Sequence, residues 1–144
     1  MKEDLAQILR EKGNGVHTIE ASATVLDGVR LMVDANVGSL LVTEGGKPTG
    51  IVTERDYLRR VVIQGRAEPE MTVGEIMSSP LIVATPETSI DECMALMTDR
   101  RVRHVPVVVG AEVVGVVSIG DLVKFKSKLQ RFELNYLNDY ITAR

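Results

Sequence analysis

Hydrophobic positions along this chain change period several times, and they do so in the same order twice. Leu5, Ile8 and Leu9 recur at i, i+3 and i+4, which predicts a short amphipathic helix over residues 4–12, stopped by Gly13-Asn14-Gly15. A short strand is expected from Val16 to Ile19. After Ser22, the helical spacing of Val25, Val29, Met32 and Val33 predicts a helix to about Asn36. Val37 to Val42 reads as a buried strand, Glu44-Gly45-Gly46-Lys47-Pro48 as a turn, and Ile51-Val52 as the returning strand. A helix from about Glu54 to Gln64 then ends at Gly65. The order recurs as a strand over Leu81–Ala84, a helix carrying Ile90, Met94 and Met97, strands over Val105–Val109 and Val113–Val117 about a turn at Gly110, and a helix opening near Gly120.

Residues 16–61 align with 81–126 without a gap, and nine pairs are identical, among them Met32/Met97, Val42/Val107, Gly50/Gly115 and Asp56/Asp121. Self-similarity at one fixed offset marks a structural duplication. A lone β-α-β-β-α unit with three short strands would leave a sheet face and edges open. Packing two units about a pseudo-twofold axis buries both faces, so the expected class is α/β (α+β) with additional N- and C-terminal helices. The expected division is an N-terminal helix and first repeat over 1–65, a connector over 66–78, a second repeat over 79–128 and a helical extension over 129–144. Arg66 to Glu70 reads as polar connector, and Thr72 to Met77 as one helical turn. The apolar stripe Leu122, Phe125, Leu129, Phe132, Tyr136 and Tyr140 is long for a half-domain, and suits packing on its own repeats or on a second subunit.

Within the duplication one phrase carries candidate chemistry, Gly50-Ile51-Val52-Thr53-Glu54-Arg55-Asp56 and its copy Gly115-Val116-Val117-Ser118-Ile119-Gly120-Asp121. A strand running into a helix N-terminus aims backbone N–H groups into a small volume of positive potential. Thr53 and Ser118 can cap those helices or bond a phosphate; Asp56 and Asp121 can cap or accept from sugar hydroxyls. The copies differ in charge: Arg103-His104 stand where the first repeat has Gly38-Ser39, and Arg55 stands where the second has Gly120.

Composition narrows the classes. With 144 residues, a net charge of −3 and a pI near 5.4, the chain is not built as a general nucleic-acid or anionic-membrane binder. No apolar run approaches the roughly 20 residues of a membrane span. The single cysteine, Cys93, excludes an internal disulfide and reads as core packing, which fits a reducing, cytoplasmic setting unless a leader has been removed. Two separated histidines and one cysteine give no metal-ligand spacing. Ser118, His104 and Asp121 are triad residue types, but Ser118 lacks a Gly-x-Ser-x-Gly elbow and Ser39 replaces the histidine in the first repeat.

The two phrases, together with Arg103-His104-Val105-Pro106-Val107, resemble a tandem pair of CBS domains over roughly residues 16–126. The string over 50–60, Glu75-Ile76-Met77 and the tail Leu129 to Ile141 resemble stand-alone bacterial two-CBS proteins and their plant mitochondrial relatives. That resemblance implies a non-enzymatic regulatory module, commonly a flat homodimer, with no catalytic cofactor. Its implied ligands carry adenosine: AMP, ADP, ATP, NAD(H) or S-adenosylmethionine. It places one composite site at Ser118 and Asp121 with His17, Thr18, Val37 and Gly38, and another at Thr53 and Asp56 with Ile82, Val83, Val102 and Arg103. Arg55, Arg103 and His104 would meet phosphate. Ligand binding would be passed on through dimer shape or a regulated protein partner. A structural dimerisation adaptor with vestigial sites, and a redox regulator reading NADH against NAD, are the alternatives.

Overall fold

A computed structural model describes residues 3–13, 15–63 and 71–142, without the side chains of residues 63 and 132–142. The connector residues Arg66 to Glu70, and the side chains of Phe132, Tyr136 and Tyr140, lie outside the described residues.

The chain runs α1 (Leu5–Lys12), β1 (Thr18–Glu20), α2 (Val25–Ala35), β2 (Ser39–Glu44), β3 (Lys47–Thr53) and α3 (Glu54–Tyr57), then α4 (Val73–Ile76), α5 (Ile90–Arg100), β4 (His104–Val109), β5 (Glu112–Ser118) and α6 (Ile119–Thr142). It is the mixed two-repeat fold that the duplication predicts. Local devices recur with it. Thr24 and Ser89 cap α2 and α5 by accepting from Asp27 and Glu92 N–H. Asn36 and Arg101 end those helices in the left-handed region at φ 54° and 56°. Each hairpin slips register at equivalent places, Val42/Thr43 and Val107/Val108.

Two expected elements differ. The helix after Asp56 is one α-turn that continues as a π-helix over Leu58–Ile63. The strand expected over Leu81–Ala84 is reduced to a single parallel bridge from Ala84 to Val107, whereas β1 pairs with β2 through three residues. Pro106 is the cause. In the first repeat Leu41 N–H donates to the His17 carbonyl at 2.9 Å, and Pro106, which replaces Leu41, has no N–H to give.

Two cores form, each closed by a segment from the other half of the chain. Leu40, Val42 and Val52 pack with Met71, Val73 and Ile76. Val105, Val107, Val117 and Leu122 pack with Leu5, Ile8 and Leu9 of α1, and with Cys93, whose thiol burial pushes to about 11. Backbone bonds anchor both crossings: Leu5 N–H donates to Thr88 O at 3.0 Å, and Val73 N–H to Ala23 O at 2.8 Å. The N-terminal helix, adjacent in sequence to the first repeat, thus belongs to the core of the second.

Candidate functional site: the cleft at Asp56

Each repeated phrase ends a strand by capping the following helix. Thr53 Oγ1 accepts from Asp56 N–H at 3.2 Å while Asp56 Oδ2 accepts from Thr53 N–H at 3.0 Å. Ser118 and Asp121 repeat the exchange at 3.1 and 2.8 Å. Glu54 N–H also donates to Gly38 O and Ile119 N–H to Arg103 O, so fewer amides face outward than the phrase alone implies. Capping and ligand binding are not exclusive for the aspartate, because the cap uses Oδ2 only. Asp56 Oδ1 accepts a hydrogen bond from the Ser78 hydroxyl at 3.2 Å, and a ligand hydroxyl would share or replace that donor.

Around Asp56 lies a cleft of about 630 Å³ shared by the two repeats. The first repeat contributes Gly38, Thr53, Arg55, Asp56 and Arg59 to its walls; the second contributes Arg101, Val102, Arg103 and His104. The four arginines are exposed, and among the described residues none has a carboxylate within ion-pair distance. Against Glu54 and Asp56 they leave this cleft positive on a chain of net charge −3. Such a concentration of unpaired cations attracts anions.

His104 sits at the seam, its Nε2 near Gly38, and its buried Nδ1 has no hydrogen-bond partner among the described residues. Burial pushes its imidazole below the ordinary histidine value; Lys12 adds to this, while Asp121, Glu54 and Asp56 pull upward without restoring it. At pH 7 it is neutral, so it offers the cleft a hydrogen-bonding nitrogen and no charge.

Asp121 has other surroundings. Lys12 Nζ at the end of α1 donates to Asp121 Oδ2 at 2.7 Å and to Val116 O at 2.8 Å. Burial would raise the Asp121 carboxyl, but the bonds from Lys12 and from Ser118 N–H outweigh it and hold it below its usual value. The adjoining hollow is walled by Ile8, Glu11 and Lys12 of α1 and by Lys124, Phe125 and Lys128 of α6.

Residues 6–63 and 73–128 each match the family model of the CBS domain. The chain belongs to the CBS-domain family. A mitochondrial CBS domain-containing protein of Arabidopsis thaliana, CBSX3, is 46% identical over 123 residues, which are 82% of this chain and 60% of that protein. This chain therefore spans less than two thirds of that relative's length. A crystallised protein with CBS domains from Burkholderia ambifaria is 45% identical with a TM-score of 0.80, covering 84% of this chain and 91% of its own. A CBS domain pair solved with 5-methylthioadenosine and S-adenosyl-L-methionine shares the fold at a TM-score of 0.77 and 22% identity, over 89% of this chain and 98% of that one.

In this CBS pair, Thr53, Arg55, Asp56, Val102, Arg103 and His104 all line one cleft. Ile82 and Val83 are not among its walls, and Val83 is exposed. Gly38, expected beside Asp121, lines the Asp56 cleft instead. His17, Thr18 and Val37 do not line the hollow at Asp121: His17 and Thr18 are exposed, and Val37 packs on the first core. Helix α1 forms one wall of that hollow. Sequence reasoning missed Ser78, Arg59, Arg101 and Lys12. Arg59 alone had a readable signal, being one helical turn beyond Arg55.

Proposed function

We propose that this CBS pair is a regulatory module that binds a phosphate-bearing adenine nucleotide in the Asp56 cleft and signals its occupancy to a partner. The observation that carries the reading is the meeting of Asp56, its Oδ1 turned away from the cap, with Arg55, Arg59, Arg101 and Arg103 in one cleft. Asp56 would accept from ribose hydroxyls, Thr53 would lie at the first phosphate, and the arginines would neutralise the rest. Val102 and Ile51 supply apolar wall for the base. S-adenosylmethionine, bound by the distant CBS pair, carries a sulfonium cation and no phosphate, so it fits these arginines less well than AMP, ATP or NAD(H).

The site is built for recognition and not for turnover, since Thr53 and Asp56 are engaged in each other's caps. Signalling requires a ligand that favours one arrangement of the module over another. Self-association into a homodimer belongs to the same reading and is checked by light scattering; Leu26 and Val33, one above the other on α2, stand exposed. Calorimetric titration tests the nucleotide reading. ATP and AMP should bind, S-adenosylmethionine more weakly, and Asp56→Asn should weaken ATP by about tenfold to a hundredfold, as expected for a hydrogen bond to a charged group. If AMP, ATP, NAD(H) and S-adenosylmethionine all leave the protein without heat or a shift in melting temperature, the reading fails.

A further inference from the structure

We infer that Arg59 and Arg101 form an outer phosphate subsite of the Asp56 cleft, which makes this module select a nucleoside triphosphate over the monophosphate. This rests on the nucleotide reading above and names the ligand class within it.

The duplication supplies an internal control. At the fixed offset of the repeats, the residues that match Arg55, Arg59, Arg101 and Arg103 are Gly120, Lys124, Asn36 and Gly38. The helix after each phrase and the approach to each hairpin form with either set, so the fold does not call for a guanidinium at any of these places. All four arginines nonetheless line one cleft, two from each repeat.

Arg101 is the sharper case. It closes α5 in the left-handed region at φ 56° and ψ 42°, where its match Asn36, closing α2 at φ 54° and ψ 49°, is a residue type at ease. An arginine held there costs stability. No carboxylate within ion-pair distance among the described residues offsets that cost, and the side chain is exposed. Strain of this kind collects where a ligand is gripped. Arg59 stands one turn beyond Arg55, on the π-helical continuation of α3 away from the Thr53 cap. Arg101 likewise stands two residues before Arg103, whose carbonyl is tied to Ile119 N–H at 2.9 Å. Each outer arginine thus extends an inner one on its own side of the cleft.

A monophosphate presents three terminal oxygens and at most two negative charges, which two bidentate guanidinium groups satisfy. Here four guanidinium groups are opposed only by Glu54 and Asp56 among the cleft walls. A triphosphate chain has the further oxygens and charge to engage the outer pair.

Calorimetric titration of the full chain in magnesium-free buffer tests this. ATP should bind at least about tenfold more tightly than AMP. Arg59→Gln and Arg101→Asn should each weaken ATP by about tenfold or more, as for a lost hydrogen bond between charged groups, and leave AMP within about twofold. Arg60→Gln removes the same charge from an exposed neighbour outside the cleft, and should leave ATP unchanged. Arg101→Asn should melt no lower than the unaltered chain, because asparagine accepts the left-handed region; a lower melting temperature would mean that the arginine serves the fold, and overturns the inference. So does equal affinity for ATP and AMP, equal weakening of both by either cleft variant, or an Arg60→Gln loss matching that of Arg59→Gln. If neither nucleotide binds the unaltered chain, the nucleotide reading has failed, and inorganic tripolyphosphate decides the subsite. It should bind, and bind more weakly to both cleft variants; absence of binding overturns the inference.

Discussion

A Cβ placed on Gly50 would stand 2.6 Å from Met77 Sδ and 2.8 Å from the Ser78 carbonyl oxygen; one on Gly115 would stand 2.5 Å from Leu9 Cδ2. The second conflict is with the tip of a side chain that can rotate, and the first includes backbone that cannot. Gly50→Ala is therefore expected to lower stability by about 1–3 kcal/mol, the usual cost of overpacking, and Gly115→Ala by less. Chemical denaturation followed by circular dichroism ranks the two, and equal losses would contradict the backbone argument. Gly50→Ala should also displace Ser78 from Asp56. His104 gives a pH dependence of definite sign. Its folded value is depressed by burial, so between that value and the ordinary imidazole range the unfolded chain binds the extra proton. Its contribution is whole above the ordinary histidine value and is lost as pH falls through the folded one. Melting temperature should thus drop from pH 7.5 to pH 5.5, and His104→Gln should flatten that part of the curve.

At the scale of elements, α1 is the least expected participant. Its periodicity shows that one face is buried, but an amphipathic pattern does not say against what. Leu5 is fully buried among Val105, Val107 and Val117, residues about a hundred positions away. Leu5→Ala should cost about 2–5 kcal/mol. Hydrogen exchange locates the damage, which should appear first in the amides of β4 and β5; an effect confined to β2 and β3 would refute the packing. The duplicated hairpins, the helices after Ser22 and Ser89 and the phrases at Asp56 and Asp121 were legible because their signals are local: alternation, capping residues and a repeated spacing. The strand lost at Leu81–Val83 was legible in principle, since Pro106 visibly lacks a donor, but the order of the first repeat argued for its recurrence in the second. Lys12 had no signal. A lysine at the end of an exposed amphipathic helix is ordinary, and only the placement of α1 on the second repeat gives it a partner.

For the whole molecule, the crossing of α1 and α4 between cores sets how the chain can be divided. The repeats look separable in sequence, and each matches the CBS family model on its own. Each core nevertheless draws apolar side chains from a segment that precedes the other repeat's strands: Met71, Val73 and Ile76 for the first, Leu5, Ile8 and Leu9 for the second. A chain cut within residues 64–70 leaves fragment 1–63 without the segment that covers Leu40 and Val52, and fragment 71–144 without the helix that covers Val105 and Val117. Burying a Leu or Ile contributes about 1.5–3 kcal/mol, so three such residues missing from one core remove an amount comparable with a small domain's whole stability. Each fragment alone should therefore give a poorly dispersed NMR spectrum, and an equimolar mixture should recover the spectrum of the intact chain. The Asp56 cleft needs both halves as well, since Thr53 and Asp56 come from one fragment and Arg101, Arg103 and His104 from the other. ATP should bind only to the mixture. A dispersed spectrum from fragment 71–144 alone, with β4 and β5 shifts of the intact protein, would show that α1 decorates the second core without completing it.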